Sequence, residues 1–97
     1  MKVLWSAKAR RDLRAIFAHR SEFSEAAARA LLVRLREAPQ KLADFPDVGR
    51  VIPEFDNSFL RELIESDFRI MYERFPDRVE IFAVAHGRRE FVSRESR

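Results

Sequence analysis

Three apolar runs separated by two-residue connectors constrain this chain more than any other feature. Arg61 to Glu65, Phe68 to Phe75 and Arg78 to Ala85 are strand-like, and Ser66-Asp67 and Pro76-Asp77 lie between them. Connectors this short allow hairpins and nothing longer, so the three runs must form an antiparallel meander. The middle run alternates, with Phe68, Ile70 and Tyr72 on one face and Arg69, Met71 and Glu73 on the other. The last run is nearly continuously apolar, as suits a central strand covered on both faces, and Gly87 ends it. So small a sheet needs another layer over its apolar face.

That layer lies upstream. Lys2 to Trp5 reads as a short strand. Ser6 is a good N-cap, and Leu13, Ile16 and Phe17 follow at helical spacing, predicting a helix to about His19. Ser24 and Glu25 open a second helix with Ala27, Leu31, Leu35 and Ala38 in one stripe and Arg29, Arg34 and Arg36 mostly off it. Pro39 ends that helix or restarts it. Leu42 and Phe45 continue the stripe, and the cluster FPDVGR, Phe45 to Arg50, opens a stretch expected to be irregular to about Ser58. The expected fold is α+β and a single domain over 1–97. A short N-terminal strand and a two-helix antiparallel hairpin pack on one face of a small antiparallel sheet with a C-terminal three-stranded meander. Trp5 and Phe45 are expected to anchor opposite ends of its core.

The chain has no cysteine and two distant histidines, so neither a disulfide framework nor a zinc site is expected, and no cofactor. The apolar stretch after Lys2 is too brief for a signal peptide, and nowhere do roughly 18 apolar residues run together; the chain reads as soluble and cytoplasmic, with no membrane role. Charge is segregated. From Lys2 to Arg20 six basic residues face Asp12 alone, from Pro53 to Phe82 four arginines face eight acids, and the tail from His86 is basic again. Such a distribution suits an anionic partner, nucleic acid or an acidic polypeptide, or simply a solvated helix face.

The residues resemble the RelE/ParE toxin superfamily of type II toxin–antitoxin systems. The opening V-x-W-S with D-L-x-x-I on the first helix is Val3, Trp5, Ser6, Asp12, Leu13 and Ile16. L-x-x-F-P-x-x-G-R is Leu42, Phe45, Pro46, Gly49 and Arg50. The strand block is Arg61, Glu62 and Leu63, then Phe68, Arg69, Ile70 and Tyr72, then Ile81, Val84, His86, Gly87 and Arg89. The likeness spans about residues 3 to 91, and the order and spacing of the pieces make it specific. It implies a growth-arresting toxin of the kind that serves plasmid stabilisation, neutralised by a small, acidic, partly disordered antitoxin that orders as it wraps the helical hairpin and sheet edge. It also implies contact with operator DNA only through the antitoxin complex. No helix-turn-helix pattern is visible, which disfavours a DNA-binding module using the basic first helix.

The superfamily holds two mechanisms: RelE-like members cut mRNA on the ribosome, and ParE-like members inhibit DNA gyrase. Metal-free RNA cleavage needs a base, an acid, and cations around the phosphate. If the chain is a ribonuclease, the resemblance assigns these roles to Arg69, Arg89 and His86. His86 is equally a residue that closes a strand and packs beside the sheet, and Tyr72 reads as core. Arg69 has two readings, contact with the target or an ion pair with Glu62 or Glu65 on the neighbouring strand. Two features oppose a nuclease. Leu60 and Glu62 fall where RelE has lysines, and FVSRESR lacks the tyrosine that RelE carries there. The ParE-like class is therefore favoured and no catalytic residue is assigned; the target-facing candidates are Arg61, Arg69, His86, Arg88 and Arg89, with gyrase as target and the ribosome and mRNA as the alternative.

Overall fold

A computed structural model describes residues 1–87 of the chain. Strand β1 (Lys2–Trp5) leads into helices α1 (Ala7–Ser21) and α2 (Glu25–Glu37), and β2 (Arg50–Val51), β3 (Leu60–Glu65), β4 (Phe68–Arg74) and β5 (Arg78–His86) follow. Both helices start where a serine can cap them: Ser6 Oγ accepts from Ala9 N at 3.0 Å and Ser24 Oγ from Ala27 N at 3.1 Å. Each cap contributes about 1 kcal/mol. The second α-helix ends at Glu37, and Pro39 sits in the first turn of a 3₁₀ segment, Ala38–Ala43, that restarts the run.

The sheet order is β1-β5-β4-β3-β2. Strands β3, β4 and β5 form the expected antiparallel meander. The turn between β3 and β4 holds Ser66 at φ 55°, in the left-handed region. Strand β1 departs from the expected antiparallel sheet, because it lies parallel to β5, with Lys2 opposite Arg78 and Trp5 opposite Ile81. The long connection through the hairpin and meander makes this possible, since no tight turn dictates the direction in which β1 meets β5. Strand β2 lies in the stretch expected to be irregular; it pairs only Arg50 with Glu62 and Val51 with Arg61. The middle strand of the sheet is β4, while β5 lies one place off-centre, flanked by β1 and β4.

One face of the sheet carries the helices. Ala9 and Leu13 from α1, Leu31 and Leu35 from α2, and Leu42 pack there against Leu63, Phe68, Ile70, Tyr72, Val79, Ile81 and Val84. Trp5, partly buried, packs against this core. The buried residue of the first turn of α2 is Ala28, and the expected Ala27 is exposed. The opposite, far face has a smaller cluster of Ile52, Met71 and Ala83 with Phe55, Leu60, Phe82 and Ala85 at its margin. A bulge between Met71 and Tyr72 leaves Phe82 unpaired, since Met71 faces Ala83 and Tyr72 faces Ile81. That extra residue places Phe82 and Ala83 both in the far-face cluster, which explains the unbroken apolar run.

Phe45 is not a core anchor: it is 65% exposed. The 3₁₀ segment ends at Ala43, and the stripe ends with fully buried Leu42. What holds the following loop is Tyr72, whose hydroxyl donates to Pro46 O at 2.8 Å and accepts from Gly49 N at 3.0 Å. A Cβ at position 49 would lie 2.6 Å from that hydroxyl and 2.7 Å from Glu62 O, so the loop closes only over glycine. Burial raises the Tyr72 pKa above its usual value.

Candidate functional site

The far face gathers the charges that the sequence placed off the apolar side of the meander. Glu62 on β3 is 1% exposed and sits between two guanidinium groups. Its Oε1 accepts from Arg69 Nε and its Oε2 from Arg50 Nε, both at 2.6 Å. The two terminal nitrogens of Arg69 donate to the Glu54 carboxylate at 3.0 and 2.7 Å. The result is a neutral chain of alternating charge, Arg50–Glu62–Arg69–Glu54. The hydrogen bonds to Glu54 lead the causes that raise the Arg69 pKa, opposed by burial and reinforced by Glu62, so Arg69 stays charged. The Arg69 side chain is 5% exposed and the Arg50 side chain 60%.

The expected ion pair of Arg69 with Glu62 is therefore present, but Glu54 and Arg50 were not foreseen. Arg50 comes from the two-residue strand β2 and Glu54 from the connection between β2 and β3, neither of which has a periodic signal. Arg61 is a brace: its Nε donates to Ser58 O at 2.9 Å and its Nη1 to Asp47 O and Gly49 O at 3.1 and 2.8 Å. His86 is exposed at the end of β5, its ring edge-on to Phe68 at 5.5 Å between centroids. Phe68 belongs to the helix-side core, yet His86 also lines, with Arg50 and Arg69, a shallow pocket of about 310 Å³ at this end of the sheet. Arg88 and Arg89 lie outside the described residues. Among the described residues no group of His, Cys, Asp and Glu could hold a metal ion, and no helix is long and apolar enough to cross a membrane.

A second arginine-rich region lies on the helical side. Trp5, Leu13, Phe17 and Leu32 line a groove of about 630 Å³, with Arg10, Arg14 and Arg36 around it. Among the described residues these three arginines have no carboxylate partner, whereas Arg29 pairs with Glu25 at 2.6 Å and Arg34 approaches Glu65 at 3.9 Å. The flanks of α1 thus differ. Away from the groove, Asp12 accepts from Lys8 at 2.9 Å and from the Val84 backbone N–H at 2.9 Å, tying the helix to β5. Asp12, the one acid among the basic residues of the N-terminal segment, thus has a structural reason in its bond to β5.

Known proteins share both the sequence and the fold. The family described as ParE toxin of type II toxin–antitoxin system, parDE, matches residues 3–91. A protein of Caulobacter vibrioides named Toxin RelE2 is 33% identical over 89 residues, covering 91% of this chain and 97% of its own. A solved structure titled as a chromosomal ParDE toxin–antitoxin system from P. aeruginosa superposes with a TM-score of 0.75 at 20% identity, covering 89% of this chain and 95% of that one. A conserved hypothetical protein of Helicobacter pylori superposes with a TM-score of 0.56 at 14% identity, covering 89% and 93%.

Proposed function

Because this chain belongs to the ParE toxin family of type II toxin–antitoxin systems, we propose that it arrests growth by inhibiting DNA gyrase and does not cut RNA. The observation that carries this reading is Glu62, buried between Arg50 and Arg69. A ribonuclease without a metal must offer cations to a phosphate whose charge grows in the transition state. Here Arg69 has committed its Nε to Glu62 and both terminal nitrogens to Glu54. A phosphate approaching this face would have to displace two carboxylates, and its charge would be opposed by the acid fixed beneath. Arg50 is more exposed, but its Nε is bound to the same acid. Tyr72, the chain's one tyrosine, is buried with its hydroxyl occupied by Pro46 and Gly49, so it is no general acid for a leaving group.

The partner implied by family membership is a cognate antitoxin that neutralises the toxin. Growth arrest on expression alone, relieved by co-expressing the adjoining reading frame, is the expected pattern. The test of mechanism gives the purified toxin two substrates in parallel. One is gyrase with relaxed plasmid; the other is ribosomes programmed with messenger RNA. Supercoiling should fall while the message stays intact. Cut message with undiminished supercoiling would overturn the choice of target and leave only the family.

A further inference from the structure

The two histidines of this chain stand far apart in the sequence, yet both line one pocket of about 440 Å³. It opens between α1 and the paired ends of β4 and β5, where Phe68 lies opposite His86. His19 and Arg20 reach it from the last turn of α1. The Arg20 guanidinium lies over the Phe68 ring, 5.5 Å from its centroid. Among the described residues no carboxylate or carbonyl accepts from it, so its N–H groups are available to a ligand. Asp12 lines the other end, two helical turns and so about 10 Å back along α1. Its charge is balanced by Lys8, and its Oδ2 also accepts from Val84 N. Between the two ends Ile16 and Val84 supply an apolar floor.

The geometry points to a seat for an adenine 5′-nucleotide, its phosphate on Arg20 and the two imidazoles, its base over Ile16 and Val84, and its exocyclic amine on Asp12. This goes beyond the toxin reading and does not depend on the choice between gyrase and RNA. Phosphate suits the cationic end, because arginine offers a planar fork of donors and each imidazole adds an N–H. The body of the ligand must be flat and largely apolar to cover the floor, and a purine is both. Asp12 then selects the base. A carboxylate repels a base carbonyl and accepts from an amine, and Asp12 Oδ1 takes a hydrogen bond from Lys8 alone, at 3.1 Å. A fatty acid would cover the same floor but leave that carboxylate against hydrocarbon. A free nucleotide and the 5′-phosphorylated end of a nucleic-acid strand both present the required chemistry.

Both imidazoles of the chain lie at this seat, so their proton resonances report its occupancy without labelling. The full chain would be titrated with adenosine monophosphate while the two imidazole signals are followed. Both should move and saturate. Arg20→Gln should weaken binding by about tenfold to a hundredfold, because charge-assisted hydrogen bonds to the phosphate are lost. Arg29→Gln on α2, where Arg29 pairs with Glu25, should bind like wild type. Inosine monophosphate, with a carbonyl in place of the amine, should bind about tenfold more weakly, since Asp12 repels it. Circular dichroism confirms that each variant folds, and His19→Gln at the exposed rim, with a smaller loss of the same sign, serves if Arg20→Gln does not. Imidazole signals that stay in place, or an unchanged affinity in Arg20→Gln, would sink the proposal. Equal affinity for the inosine nucleotide, or inorganic phosphate binding as tightly as the nucleotide, would overturn the assignment of the base. A trinucleotide beginning with 5′-phosphoadenosine, titrated in parallel, identifies the source: whichever binds more tightly is the form that the seat takes, and both uphold it.

Discussion

Arg69 and Arg14 have the same guanidinium group in opposite circumstances. Arg69 lies under the far face with its nitrogens divided between Glu62 and Glu54, while Arg14 stands beside an apolar groove with no carboxylate near it among the described residues. On the far face the charges answer one another and cancel. Around the groove they are left over, next to apolar surface that is also left over. Unpaired charge at a solvated rim contributes little to the stability of the isolated chain. Buried paired charge has the reverse character: removing one member exposes the cost of desolvating the other. The two regions should therefore respond differently to mutation, the far face with a large loss of stability and the groove arginines with almost none.

The largest effect belongs to Glu62→Lys. It would set a third cation between Arg50 and Arg69 in a buried position, and the protein should fail to accumulate in folded form, read by soluble yield and circular dichroism. The milder Glu62→Gln keeps the shape and removes the charge, and should lower unfolding free energy by about 3–5 kcal/mol in a denaturant titration. If Glu62→Gln were as stable as wild type, the far-face network would not be the structural element described above.

Tyr72→Phe comes next. It deprives Gly49 N and Pro46 O of their shared hydroxyl and should cost about 1–3 kcal/mol. The raised Tyr72 pKa adds a signature in pH. The unfolded chain releases the phenol proton first as pH rises through about 10, while the folded chain still holds it. That contribution is complete below pH 10 and is lost above it, so wild type should lose stability in this alkaline window faster than Tyr72→Phe. Parallel melting curves at pH 8 and above would show the gap between the two proteins closing, and a constant gap would contradict the assignment.

The smallest effects complete the comparison. Arg10→Gln, Arg14→Gln and Arg36→Gln should each leave stability within about 0.5 kcal/mol of wild type. A larger loss in thermal melts would mean that the groove arginines are structural after all. Phe45→Ala should be equally mild because the ring is 65% exposed. A loss near the 3–5 kcal/mol typical of a buried phenylalanine would return Phe45 to the core.

The sequence by itself determined the parts that local rules govern. Alternation in Phe68 to Arg74 assigned Tyr72 to the core and Arg69 to the other face, short turns made the meander antiparallel, and serine caps marked both helix starts. The pairing of Arg69 with Glu62 was also legible, because neighbours on adjacent strands follow from register. What the tertiary structure alone decided depends on residues far apart in the chain. The parallel placement of β1 has no turn to announce it, and the bulge at Phe82 trades one pairing for a shift of face without changing composition. Phe45 continues a helical stripe in sequence but leaves it in space, because the 3₁₀ segment ends before it. Glu54 reaches Arg69 from an irregular connection, and the groove exists only where two helices and a strand end meet. Periodicity reports which face a residue takes within its own element. Which charges find partners is settled by how the elements meet, and in this protein that difference separates the self-neutralised face from the groove left open.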